Sequence, residues 1–153
     1  MEIILFQIGE SEEKIEKNGE ICRVLTKQSA KAVADAAGGL GRVIPRKVKV
    51  QVWSSMAAPS SQTAEIIAEE LGVKRKFLRS LDTSDLDTLL RTAFEHGREE
   101  CLILIGQQPN LGDWVEKLTG LKLPFRPAAA AGLAIDPAAP DHGELLWFIQ
   151  PKY

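Results

Sequence analysis

Cys101-Leu102-Ile103-Leu104-Ile105 is an unbroken apolar run that ends in Gly106-Gln107-Gln108-Pro109. A strand wetted on one face alternates apolar and polar residues. A short continuous run is covered on both faces, the situation of a strand inside a parallel sheet. Ile3-Ile4-Leu5-Phe6 repeats the signature near the N-terminus and exits into Gln7-Ile8-Gly9-Glu10. Val48-Lys49-Val50-Gln51-Val52-Trp53 alternates and is rich in β-branched residues, so it predicts a further strand, exiting into Ser54-Ser55-Met56. Arg75 to Leu78 predicts a short one.

Helical periods lie between these runs. From Thr26 to about Leu40, residues Ala30, Val33, Ala34 and Ala37 share a face, and the spacing predicts a helix ended by Gly38, Gly39 and Gly41. Ser60 to Leu71 predicts a second, with Ala64, Ile67, Ala68 and Leu71 as its stripe and Gly72 just past its end. Ser84 to Phe94 predicts a third, with Ser84 as N-cap, Asp87 three residues on and Gly97 after the end. Leu111 to Leu118 predicts a short fourth, closed by Gly120. Gly132 to Ile135 and Glu144 to Ile149 predict a closing strand pair around the turn Asp136 to Gly143. Pro127-Ala128-Ala129-Ala130-Ala131 reads as a surface loop or a short turn leading into a strand. Strands alternating with helices predict an α/β fold, a three-layer α/β/α sandwich with a mainly parallel sheet, in one domain over 1–153.

Bulk properties bound the function. The chain has 153 residues, 44% hydrophobic and 26% charged, with a formal net charge of -2. That is an ordinary globular composition with no global field to draw it to nucleic acid or an anionic membrane. Cys22 and Cys101 are too few for a disulfide framework and read as reduced thiols. The start Met1-Glu2-Ile3-Ile4-Leu5-Phe6 has no secretory pattern, and no apolar run approaches membrane-spanning length. The expected location is the cytoplasm. Arg42, Arg46, Lys47 and Lys49 cluster, as do Lys74, Arg75 and Lys76. Acidic runs balance them and no aromatic residues interleave, so nucleic-acid binding is the weakest functional reading. Trp53, Trp114 and Trp147 read as core residues. Trp53 also directly precedes Ser54, where it would make the neighbouring crevice more apolar.

In open α/β sheets, ligands bind beyond the carboxyl ends of the strands. The three exits place Gln7-Ile8-Gly9-Glu10, Ser54-Ser55-Met56 and Gly106-Gln107-Gln108-Pro109 there. In that order the chain resembles the histidine phosphatase superfamily, the phosphoglycerate mutase-like proteins, and within it the small SixA-type phosphohistidine phosphatases. Gln7-Ile8-Gly9-Glu10 stands where the family has Arg-His-Gly-Glu. Arg23-Val24-Leu25-Thr26 stands where it has Arg-Pro-Leu-Thr. Ser54-Ser55-Met56 with Gln62-Thr63-Ala64 matches the Ser-Ser-Pro strand exit and the Gln-Thr-Ala helix opening. Gly106-Gln107-Gln108-Pro109 stands at Gly-His-Glu-Pro, and Gly143 to Trp147 fits a closing Gly-Glu-Leu-Leu-Trp strand. Singly these matches are weak; together, in order and at element boundaries, they carry the fold.

The resemblance also implies which positions would do chemistry. The first phosphate-binding arginine falls on Gln7, the nucleophilic histidine on Ile8, the second arginine on Pro59 and the second histidine on Gln107. Isoleucine has no lone pair, so Ile8 forms no phosphoenzyme, and deleting a central nucleophile costs on the order of 10⁶ in rate. Each charged hydrogen bond lost is worth roughly 1.5–3 kcal/mol. Pro59 offers no donor of any kind. What remains for a ligand is the Gly9 backbone N–H, Ser54, Ser55, Ser60 and Ser61, and the helix N-termini that follow. His96 and His142, the only histidines, fall in elements expected to point away from the crevice. Cys22 reads as a structural thiol, and Glu10 as a solvated carboxylate at the crevice rim.

The expectation is therefore a catalytically inactive SixA-like protein, a pseudoenzyme with a binding or interaction role. No residue is assigned a catalytic role, and no metal or cofactor is expected. The vestigial pocket is Gln7, Ile8, Gly9, Ser55, Pro59 and Gln107. Its occupant would be a small polar or weakly bound anionic ligand, unless the partner is a protein. The alternative is a phosphohistidine or phosphomonoester phosphatase using a non-standard site.

Overall fold

The structure is a computed structural model, and it describes residues 1–15, 18–45, 48–77, 86–96, 100–107 and 110–151. In chain order the elements are β1 (Glu2–Gln7), β2 (Ser11–Ile15), β3 (Ile21–Leu25), α1 (Lys27–Val43), β4 (Lys49–Ser54) and α2 (Ala58–Leu71). Then come β5 (Lys74–Phe77), α3 (Leu86–His96), β6 (Glu100–Gly106), α4 (Asn110–Thr119), β7 (Ala130–Ile135) and β8 (Gly143–Ile149). Six strands form one sheet in the order β5-β4-β6-β1-β7-β8. β5, β4, β6 and β1 are mutually parallel, while β7 runs antiparallel to both β1 and β8. The sheet is thus mainly parallel, as the apolar runs require.

Both faces of the sheet are covered. Ile4, Phe6, Val52, Ile103 and Ile105 pack with Val33, Ala37 and Leu40 of α1 and Ala64 and Ile67 of α2. Their sequence neighbours Ile3, Leu5, Trp53, Leu102 and Leu104 face the other way, onto Leu89 and Ala93 of α3 and Trp114 and Leu118 of α4. This period of two under two helical layers is why β1 and β6 carry no polar residue between their ends. Trp53 is 0% exposed and belongs to the α3/α4 side, so it does not line the strand-end crevice.

Several boundaries differ from the sequence reading. α1 runs through Gly38, Gly39 and Gly41 to Val43. Each glycine costs about 1 kcal/mol against alanine, but buried Leu40 anchors the turn they occupy. The stop is set instead by Pro45: the residue before a proline is driven out of the helical region, and Ile44 is extended with φ -82 and ψ 130. α2 begins two residues earlier than expected, with Pro59 in its first turn, where a missing N–H costs nothing. The hairpin β2–β3 was not foreseen. Its strands pair only with each other, so its charged residues face water and show no buried period. Ala128 to Ala131 are buried rather than a surface loop, because the segment turns beneath the end of β1 to start β7. Leu78, Ser84 and Gly97 lie outside the described residues.

Candidate functional site

The carboxyl ends of β1, β4 and β6 lie side by side. Gln7 is in register with Gly106, and Trp53 with Leu104. Neighbouring strands are about 4.8 Å apart, so the residues leaving these ends share one crevice. Gln7 closes β1 and is 8% exposed. Its N–H donates to the Ala129 carbonyl at 2.8 Å, and its own carbonyl accepts from the Ala128 N–H at 3.2 Å. Ile8 follows, and its N–H donates to the Gly106 carbonyl at 2.9 Å. The Gly9 N–H donates to Thr63 Oγ1 at 3.4 Å, and that hydroxyl donates to the Pro59 carbonyl at 2.7 Å. The chain Gly9–Thr63–Pro59 brings the first turn of α2 against the end of β1. Gln107 is exposed beside it, its carbonyl accepting from the Leu111 N–H at 3.2 Å.

The structure therefore gathers Gln7, Ile8, Gly9, Pro59 and Gln107 as the sequence order implies, with buried Ser55 directly after β4. One expectation is corrected. The Gly9 N–H was counted as a free donor, but Thr63 takes it, and the N–H groups of Gln7 and Ile8 are also engaged by carbonyls. No backbone N–H of that tripeptide is left to cradle an anion. Gly9 is confined as well: a Cβ there would lie 2.3 Å from Ser29 Oγ and 3.1 Å from Val33 Cγ2. Gln62 Oε1, next to Thr63, accepts from the Leu25 N–H at 2.8 Å and ties the hairpin base to α2.

Among the described residues, three buried oxygens with no hydrogen-bond partner lie near these strand ends: Gln7 Oε1, Ser54 Oγ and Ser29 Oγ. Ser29 went unnoticed in the sequence, although Thr26, whose Oγ1 accepts from the Ser29 N–H at 3.0 Å, was placed at the start of α1. The segments 7–10, 54–60 and 106–107 carry a single charged side chain, Glu10, and it is exposed. Both histidines are remote. His142 lies in the β7–β8 turn near Met1, at the amino end of β1. His96 ends α3 ahead of the amino end of β6. Cys22 sits on the hairpin, half-buried. Among the described residues no cluster of His, Cys, Asp or Glu could hold a metal ion, and no described helix is long and apolar enough to cross a membrane.

A covered sheet of this order, with its crevice at the ends of β1, β4 and β6, has the fold of the phosphoglycerate mutase-like histidine phosphatases. A phosphoglycerate mutase from Plasmodium falciparum is similar over 96% of this chain and 89% of its own, with a TM-score of 0.65 and 15% identity. The likeness to SixA structures is stronger. The protein histidine phosphatase SixA complexed with tungstate matches over 99% of this chain and 97% of that one, with a TM-score of 0.80 at 20% identity. A protein from Agrobacterium tumefaciens assigned as a phosphohistidine phosphatase SixA matches over 98% and 97%, with a TM-score of 0.76 at 16% identity. The chain thus has the SixA-type fold. No family model matches the sequence, and no curated protein matches it either.

Proposed function

We propose that this chain is a non-catalytic member of the SixA-type fold, a pseudoenzyme whose crevice or surface binds a partner instead of transferring a phosphoryl group. The observation that carries this reading is the state of the first loop. Gln7, Ile8 and Gly9 have all three backbone N–H groups bonded internally, and the described segments 7–10, 54–60 and 106–107 carry no cation and no imidazole. Phosphoryl transfer is almost wholly positioning and electrostatic stabilisation of a spreading negative charge. This crevice offers serine hydroxyls, amides and the first turn of α2. Such groups suit a neutral polar ligand or a protein side chain, with at most weak hold on an anion. The proposed setting is the cytoplasm.

The test is turnover of phosphohistidine protein and of p-nitrophenyl phosphate, with a thermal-shift measurement in inorganic phosphate alongside. The expected result is no turnover above background and no shift in melting temperature. Turnover that disappears in Ser55→Ala would establish a working non-standard phosphatase site and overturn the proposal.

A further inference from the structure

The chain holds two asparagines, Asn18 and Asn110, and the fold treats them oppositely. An asparagine side chain is a primary amide whose carbonyl carbon can be attacked by the backbone nitrogen of the next residue. The attack closes a five-membered ring, and it is intramolecular because one dipeptide carries both reacting groups. Three things oppose it: bulk on the following residue, a hydrogen bond that occupies its N–H, and a backbone held in a helix.

Asn18 meets none of the three. It is exposed, in the connection between β2 and β3, and exposed Gly19 follows it. Asn-Gly suits a hairpin connection because glycine takes a left-handed backbone without strain, and Gly19 has φ 78. Nothing lies within 4 Å of where a Cβ on Gly19 would stand. Among the described residues, no hydrogen bond engages the Gly19 N–H or the Asn18 side chain. β2 and β3 pair only with each other, so opening their connection disturbs no strand of the main sheet. Asn110 meets all three. It begins α4, and the next residue is buried Leu111, whose N–H donates to the Gln107 carbonyl at 3.2 Å. Ring closure there has to open the first turn of the helix.

We propose that Asn18-Gly19 is a site of spontaneous deamidation, which converts residue 18 to aspartate and isoaspartate as the protein ages. The Gly19 nitrogen gives its proton to hydroxide and bonds to Asn18 Cγ. The Cγ–Nδ2 bond breaks, and Nδ2 takes up a proton and leaves as ammonia. Water then opens the resulting succinimide. Attack at Cγ restores the main chain and leaves aspartate; attack at the main-chain carbonyl carbon of residue 18 routes the chain through the side chain and leaves isoaspartate. Water is the one co-reactant, and nothing is oxidised or reduced. Either product replaces a neutral amide by a carboxylate and makes the formal net charge of -2 one unit more negative. The new charge falls close in sequence to exposed Glu20 and to the exposed apolar pair Ile15 and Ile21. The site is on the hairpin and does not depend on the proposal above.

The experiment is incubation of the full, folded chain in warm, mildly alkaline buffer, followed by peptide mapping with mass spectrometry. Circular dichroism reports that the chain stays folded. An endoprotease that cleaves before aspartate but not before isoaspartate separates the two products. Progressive loss of the Asn18 amide is expected, with both products formed. Asn110 should convert at least about tenfold more slowly, because a hydrogen-bonded helical turn must open first. Asn18→Gln, whose ring would need six members, should stay unmodified at position 18 over the same period. The proposal is overturned if Asn18 stays intact, if Asn18 and Asn110 convert at equal rates in the folded chain, or if Asn18→Gln reacts as fast. Aspartate as the sole product would also overturn it, since direct hydrolysis would then bypass the ring.

Discussion

Replacing Gly9 by alanine tests whether the loop after β1 is locked by packing. An added Cβ would lie 2.3 Å from Ser29 Oγ, 3.0 Å from Leu25 Cδ2 and 3.1 Å from Val33 Cγ2. The first distance is impossible without movement. The other two require shifts of a few tenths of an ångström. Forcing an extra carbon into a packed site costs about 1–3 kcal/mol, which for a chain of this length lowers Tm by about 2–12 °C. Ser29→Ala alone should do the opposite. It removes a buried hydroxyl that has no partner, a group whose burial costs about 1–3 kcal/mol, and alanine is the better helix former. In Gly9→Ala/Ser29→Ala the worst clash is gone, so the double variant should be more stable than the sum of the single effects by at least about 1 kcal/mol. Urea unfolding of the four proteins measures this. A Gly9→Ala protein within about 0.5 kcal/mol of the parent, or additive effects in the cycle, would refute the packing account. The glycine would then be serving close approach by a ligand, and the loss would show in binding instead of stability.

Two further outcomes follow from groups outside the crevice. Burial raises the Glu2 carboxyl above its ordinary 4.5, against a hydrogen bond from Trp147 and the charge of the N-terminus. Such a group binds more protons folded than unfolded, so its contribution is fully present below the unfolded value and declines as pH rises to the folded one. Glu2→Gln should therefore gain stability relative to the parent as pH climbs past 4.5 and then level off; a constant difference between about pH 4 and 7 rules this out. Burial, with help from the Glu2 charge, pushes the Cys101 thiol up to about 12. At about pH 8 a disulfide reagent should titrate one of the two thiols in the native protein and both after unfolding, since the thiolate is the reacting species; two equally fast native thiols would contradict it.

The layers of the fold were legible because they rest on burial. Runs such as Ile3 to Phe6 and Cys101 to Ile105 have no explanation but a strand covered on both faces, and both lie in the centre of the sheet. The hairpin was not legible for the complementary reason. Its Ile15 and Ile21 sit opposite each other and are exposed, so no buried face imposes a period on the sequence. The end of α1 was misread because glycine is a weak local signal that one buried leucine overrides, whereas Pro45 is a steric one. At the site, the gathering of Gln7, Ile8, Pro59 and Gln107 was legible from element order. The engagement of the Gly9 N–H was not, since it depends on a hydroxyl from α2, 54 residues away in sequence.

That bond also bears on what the matched motif residues mean. Gly9 is squeezed between α1 and Thr63, and Thr63 joins it to Pro59. Gln62 holds the hairpin base. A Cβ on Gly106 would meet Leu111 Cδ2 at 2.7 Å. Each of these residues has a structural task here that needs no phosphate. Among the side chains at 7, 8, 59 and 107, Gln7 Oε1 has no partner and Gln107 is exposed, while Ile8 packs on the α1/α2 side of the core. The matched positions Gly9, Gln62, Thr63 and Gly106 thus help hold the strand ends together, whatever ligand the crevice takes. A motif divided in this way is an argument for fold. By the same division it weighs against the family's usual chemistry, because Gln7, Ile8, Pro59 and Gln107 stand at the positions where the resemblance would put its histidines and arginines.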